Sequence, residues 1–256
     1  MNKLQLISKI STDKNTLLEI AKAIQPLVDE ATIVLDVEGL TFKGMDPSHV
    51  AMIDIALPNS CFEKYEVEQE IKFAFNVDEF FHTMKNLREK GTVNLEINDQ
   101  TLKISQKGET TILKLIEVSA TDTPLPKIPY DAKITFGSGN DDYDLIDVMN
   151  FKRNFNQVKN VSDYITIDAG DKVILSGKGD NGETKIEYER DQLLEFDVKQ
   201  KSISTYSIEY LYPYIKNLTK HSSLTLQFST AKPIRLEFKI NNIGRIHLYL
   251  APRVEY

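Results

Sequence analysis

Cysteine occurs once, at Cys61. That excludes an internal disulfide and any cysteine-cluster zinc site, and it fits a reducing compartment. No stretch approaches the ~18 consecutive apolar residues of a membrane span, so no membrane contact is expected. The opening MNKLQLISKI alternates polar and apolar residues like a strand, where a secretory signal would carry an apolar core. The four histidines, His49, His82, His221 and His247, stand far apart and lack H-E-x-x-H spacing, and neither a G-x-S-x-G elbow nor a G-x-x-x-x-G-K-[ST] loop occurs. GKGDNG (177–182) matches G-x-G-x-x-G, but the strand-like TKIEYE follows it where a dinucleotide site needs a helix, so it reads as a hairpin turn. Asn140, Asp141, Asp142 and Asp144 lack the glycine and distal glutamate of an EF-hand and read as a helix entry. The expectation is therefore no enzyme, with no catalytic residue, no metal and no cofactor.

What is present is the composition of a globular protein: 256 residues, 41% hydrophobic and 27% charged, long enough for two domains. Period-2 runs separated by Gly, Asn and Asp turns predict fourteen strands: TIVLDV, LTFKGM, VAMIDIAL, IKFAFNV, TVNLEI, TLKIS, TTILKLIEV, KITF, YITIDA, KVILSG, TKIEYE, LTLQF, IRLEFKI and RIHLYLA. Amphipathic helices are predicted over 13–24, 78–90, 144–160 and 209–220, with Asp13, Asp78, Glu79 and the run NDDYD at or before their starts. The class is α+β, dominated by sheet.

The two halves echo each other. At an offset of 131, Phe80, Met84 and Leu87 fall on Leu211, Ile215 and Leu218, and Val93, Leu95 and Ile97 fall on Leu224, Leu226 and Phe228. At 133, Leu40, Phe42 and Gly44 fall on Val173, Leu175 and Gly177. A period this long means duplicated domains. Between them SATDTPLPKIPYDA, with Pro124, Pro126 and Pro129, reads as an extended connector. The expected division is 1–118, a connector over 119–132, and 133–256.

Charge is unevenly spread. The net charge is −7, yet the predicted helices carry ten Lys/Arg against eight acids, and the remainder carries 21 against 30. Basic helices at duplicated positions in an acidic protein point to a shared positive surface that meets phosphate without reading sequence.

MDPSHVAMIDI after GLTFKG, the connector LPKIPYDAKI, the turn LSGKGDNGE and the ending YLAPRVEY together resemble proliferating cell nuclear antigen, the DNA sliding clamp. The resemblance spans essentially the whole chain, and the connector and ending look like those of archaeal members. It implies a ring of three subunits, each with two similar domains, strands outside and four helices lining a hole that holds double-stranded DNA without sequence preference. Carried over by position, the DNA-facing residues are Lys14, Lys22, Lys85, Arg88, Lys152, Arg153, Lys159, Lys216 and Lys220. Subunits would join by β-addition between Thr110, Thr111, Ile112, Leu113 and Lys114 of one chain and the strand carrying Glu183, Lys185 and Glu187 of the next. An outer pocket for short peptide motifs of DNA polymerase, clamp loader, flap endonuclease and DNA ligase would be walled by Met45, His49, Val50, Met52, Leu125, Ile128, Pro233, Tyr249, Leu250, Ala251 and Pro252. His49 is then a polar wall residue, not a base. The implied location is cytoplasmic and nucleoid-associated, or nuclear for a eukaryotic source. Three other readings stand beside this one: a clamp-like protein scaffold that does not encircle DNA, one subunit of a mixed three-chain ring, and an enzyme centred on His49.

Overall fold

Apolar and polar side chains alternate along 93–97 and 101–106, and Val93, Leu95, Ile97, Leu102 and Ile104 are all buried on one face. This is the pattern of a sheet packed on one side. The computed structural model describes residues 6–119, 124–137, 147–180, 182–219, 223–240 and 243–253. It forms two units, Met1–Leu125 with Ile240–Ile246, and Pro126–Lys239 with His247–Tyr256. The break between Leu125 and Pro126 falls inside the expected connector, and a short stretch of the second half joins the first unit.

The first unit contains β1 (Leu6–Thr12), α1 (Lys14–Ile24), β2 (Glu30–Asp36), β3 (Gly39–Met45), β4 (Ala51–Pro58), β5 (Lys64–Glu66), β6 (Ile71–Asn76), α2 (Val77–Asn86), β7 (Val93–Asn98), β8 (Thr101–Gln106) and β9 (Glu109–Lys114). Its strands run antiparallel in the orders β5-β1-β7-β8-β9 and β4-β3-β2-β6. The second contains β10 (Ala132–Phe136), α3 (Val148–Lys159), β11 (Tyr164–Ala169), β12 (Val173–Gly179), β13 (Gly182–Tyr188), β14 (Glu195–Val198), β15 (Ser202–Ser207), α4 (Ile208–Ile215), β16 (Leu224–Phe228) and most of β17 (Ile234–Ile240), while β18 (Gly244–Leu250) is divided between the units. Its orders are β14-β10-β16-β17 and β13-β12-β11-β15. Adding nine to each strand label of the first unit reproduces the second. The duplication read from the offsets is thus a repeated topology, with β3 matching β12, β7 matching β16 and α2 matching α4.

Local chemistry explains the helices. The Asp13 carboxylate caps α1, accepting from the Thr16 N–H at 3.1 Å and the Thr16 hydroxyl at 2.7 Å. Asn76 caps α2 through the Glu79 N–H, and Asp147 caps α3 through the Asn150 N–H. Leu17, Ile20 and Ile24 bury the inner face of α1, each contributing about 1.5–3 kcal/mol of transfer free energy. In the second unit α3 lies hard against β12. A Cβ on Gly177 would stand 2.6 Å from Val158 Cγ1, and one on Gly179 would stand 2.0 Å from the Val161 carbonyl oxygen. Glycine is what permits that approach.

Two helix ends and three strands depart from expectation. Helix α2 ends at Asn86 and α4 at Ile215, short of the predicted 90 and 220. Leu87 and Leu218 extend the apolar period but sit in the following turns, their N–H groups donating to Met84 and Ile215 carbonyls. The strands β5, β14 and β15 were not anticipated. In β15 the pattern is inverted, with Ser202, Ser204 and Tyr206 buried and Ile203 exposed, so apolar periodicity gives no signal there.

GKGDNG forms the end of β12 and the start of β13, paired through Gly179 and Gly182, with no helix after it. Asn140, Asp141, Asp142, Asp144, His221 and Lys220 lie outside the described residues.

Candidate nucleic-acid, subunit and peptide surfaces

The nine expected DNA-facing cations separate into distinct groups. Lys14 is the first residue of α1 and only 4% exposed; its ammonium donates to the Leu87 carbonyl and to Glu89, both at 2.7 Å. It is a structural tie, which corrects its assignment to the DNA surface. Lys152 on α3 does the same work in the second unit, donating to the carbonyls of Lys216 at 2.6 Å and Leu218 at 3.1 Å. Leu87 and Leu218 are the pair related by the offset of 131. In each unit a lysine from the first helix therefore satisfies a carbonyl beyond the end of the second, where orphan acceptors and the negative helix pole both favour a cation.

Arg88 lies beyond α2 and bonds Glu109 at the start of β9, with Nε at 3.1 Å from the carboxylate, so it leaves the predicted helical face. Lys85, Arg153, Lys159 and Lys216 are exposed and make no ion pair with a carboxylate among the described residues, and Lys22 is half-buried late in α1. The effective basic surface is smaller than the sequence suggests, but it is less neutralised.

Changing Lys14 to Met removes the donor of a buried carbonyl and is expected to destabilise the protein by about 1–3 kcal/mol. Chemical denaturation measures this. Unchanged stability would return Lys14 to the DNA-facing set.

Both strands expected at the subunit contact are sheet edges. β9 is the outer neighbour of β8, with Thr110, Thr111, Ile112 and Lys114 exposed and Leu113 turned inward. Ile112 is 60% exposed, on an edge whose outer backbone groups have no partner strand within the unit. An unprotected apolar edge of this kind is a template for pairing. β13 is the outer neighbour of β12. Its Glu187 receives Lys172 and Lys185, the latter at 2.8 Å, and these bonds hold its carboxyl far below the usual range, at about 2. Glu183 is exposed beside the turn.

In the first unit, the loop between β3 and β4 is built around Asp46, which is 5% exposed. Its carboxylate accepts the N–H groups of Ser48 at 3.1 Å, Val50 at 2.7 Å and Ala51 at 2.6 Å, while its backbone carbonyl accepts the His49 N–H at 3.0 Å. His49 sits at φ +58 with its side chain exposed at the loop tip. Asp46 spends its oxygens on the backbone, which makes it the organiser of MDPSHV; sequence reading quoted the motif without assigning this residue a role. Met45 and Val50 are half-exposed, but Met52 is 3% exposed and lies inside. Leu125 is half-buried and belongs to this unit.

In the second unit, Ile128, Pro233, Ala251 and Pro252 are half-exposed, Tyr249 is 5% exposed and Leu250 is fully buried. Met52 and Leu250 are therefore core residues, not pocket walls; they lie in stretches of β4 and β18 that are buried on both faces. The segment 251–253 is anchored by Arg253. Its N–H donates to the Thr205 carbonyl at 2.8 Å, and its guanidinium lies 3.9 Å from the centroid of the Tyr164 ring. Tyr130 of the connector stands under Arg235, and burial pushes its phenol up to about 12. Neither Arg253 nor Tyr130 was singled out from sequence, because an Arg and a Tyr in irregular segments carry no periodic signal.

The N-terminal domain model of proliferating cell nuclear antigen matches residues 9–120, and the C-terminal domain model of the same family matches 137–253. The chain belongs to the proliferating cell nuclear antigen family. Its function is that of a DNA polymerase sliding clamp, a replication processivity factor. Curated relatives of that name include the protein of Nitrosopumilus maritimus, 48% identical over 96% of this chain and 97% of its own length, and that of Cenarchaeum symbiosum, 45% identical over 95% and 97%. Among solved structures, A. fulgidus PCNA bound to the C-terminal region of FEN-1 superposes with a TM-score of 0.88 at 25% identity, covering 97% of this chain and 99% of that one. A PCNA2–PCNA3 complex from Sulfolobus tokodaii superposes at 0.84, also at 25% identity, covering 96% of this chain and all of that one. Two clamp domains, built on sheets with two helices each, make up the α+β fold of the family. Among the described residues no helix is long and apolar enough to cross a membrane.

Proposed function

We propose that this clamp closes as a homotrimeric ring around duplex DNA, with Lys22, Lys85, Arg153, Lys159 and Lys216 facing phosphate, β9 of one subunit pairing with β13 of the next, and no catalytic step of its own. The cytoplasm is its place of action. The observation that carries this reading is the set of exposed, carboxylate-free cations on or just beyond α2, α3 and α4 in a protein of net charge −7. Cations without a carboxylate partner keep their attraction for phosphate, whereas neutralised ones lose most of it. Retention on closed circular duplex against release from a linearised copy tests the ring. Equal release from both forms would favour a protein scaffold that does not encircle DNA.

The same chain would recruit polymerase, loader, flap endonuclease and ligase through short apolar peptides that meet Met45, His49 and Val50 in the first unit and Pro233, Ala251 and Pro252 in the second. Met45→Ala is expected to weaken such a peptide by about 1–3 kcal/mol, the range of a buried interface anchor, without changing subunit mass. Titration calorimetry with a synthetic peptide checks it. Leu250→Ala is the wrong probe, because it opens a cavity in the core.

A further inference from the structure

One ring gathers two of the free cations. The Lys159 ammonium lies 4.5 Å from the centroid of Tyr212, and the Lys216 ammonium lies 5.9 Å from the same centroid. Lys159 is the last residue of α3, Lys216 is the cap residue after α4, and Tyr212 stands on α4 between them. A single half-exposed aromatic thus collects ammonium groups from two helix C-termini. Two like charges held this near one another repel. The electron-rich ring and the negative pole of each helix offset that repulsion without removing either charge. Lys152, bonded to the Lys216 and Leu218 carbonyls, brings a third ammonium to the end of α4. No carboxylate pairs with Lys152, Lys159 or Lys216 among the described residues.

We infer that Lys159, Tyr212 and Lys216 form one phosphate-binding station for duplex DNA, in which Tyr212 is a positioning residue. This rests on the reading above that α3 and α4 face the duplex. Free lysine side chains lose rotamer freedom when they bind an anion, and a ring that already confines two of them lowers that loss. The anion is a backbone phosphate and not a stacked base, because at least one cation already covers the ring and the site offers no planar fork for a base edge. The chemistry is therefore sequence-independent and compatible with movement along the duplex.

The test is binding of the intact protein to a linear duplex of about 30 base pairs across a salt series, with subunit mass and melting temperature recorded for each variant. Tyr212→Leu, and Tyr212→Gln as a second ring-free variant, should weaken binding roughly three- to tenfold at low salt. Tyr212→Phe keeps the ring and should bind like the wild type. The ring-free variants should keep the wild-type salt slope, because the number of phosphates met is unchanged. Lys159→Ala with Lys216→Ala should lower that slope, and in this background Tyr212→Leu should add nothing. Wild-type affinity for both ring-free variants, or an equal further loss in the double-lysine background, overturns the role of Tyr212. If the double-lysine variant itself keeps wild-type affinity and slope, the placement of α3 and α4 against DNA fails instead.

Discussion

Changing Lys85, Arg153, Lys159 and Lys216 together to Ala is expected to reduce affinity for linear duplex tenfold or more at about 0.1 M salt, and to flatten its salt dependence. Each phosphate contact contributes about −0.9 to the slope of log K against log salt, so the loss of several contacts per ring is a change of several units. The four side chains are exposed and none is needed to satisfy a buried group, so melting temperature and subunit mass should stay close to wild type. Lys14→Met serves as the contrast. It removes a positive charge from another of the four helices but lowers stability and leaves the slope alone, since its ammonium is already committed to Leu87 and Glu89. If the fourfold variant and the wild type give equal slopes, the basic helices do not meet DNA. The protein-scaffold reading then takes precedence.

Replacing Ile112 by Asp is expected to convert a three-subunit species into single subunits. An isoleucine that goes from 60% exposed to buried contributes about 1.5–3 kcal/mol per contact, which corresponds to roughly a ten- to hundredfold weakening at each of the three joints. A charge placed on a pairing edge adds repulsion of the partner strand. Proline at Thr111 and at Ile112 provides the internal check. Neighbouring residues of an edge strand point their N–H groups in opposite directions, one toward β8 and one outward. One proline should therefore lower mass alone, and the other should lower melting temperature as well. Sedimentation at micromolar concentration gives the mass. A wild-type protein that sediments as one subunit on its own would count against the homotrimer and favour a ring of different chains.

How much of this was legible in the sequence depends on what each residue needed from its neighbours. The strand β7 was legible because Val93, Leu95 and Ile97 declare their buried face by alternation alone. β15 was not, since its inward residues include two serines and its exposed ones an isoleucine. The starts of α1 and α2 were legible from Asp13 and from Asp78 and Glu79. The ends of α2 and α4 were not, because Leu87 and Leu218 keep the helical spacing while sitting in turns. Among the cations, Lys85 and Lys14 look alike in one dimension. Only the fold shows that the Leu87 carbonyl lies within reach of one and not the other. The peptide-facing segments divide similarly. The MDPSHV loop carries its own wiring through Asp46, but only the packed fold shows that Met45 is half-exposed while Met52 and Leu250 are buried.

The twin lysine ties separate a task from a residue position. Lys14 reaches its carbonyl from the first position of α1, whereas Lys152 reaches the matching carbonyl from the fifth position of α3. The two ammonium groups serve matching carbonyls from helical positions about a turn apart. What the two copies share is a task for a positive charge, not an aligned residue. Comparing the halves letter by letter would score these two lysines as unrelated, although they perform one task.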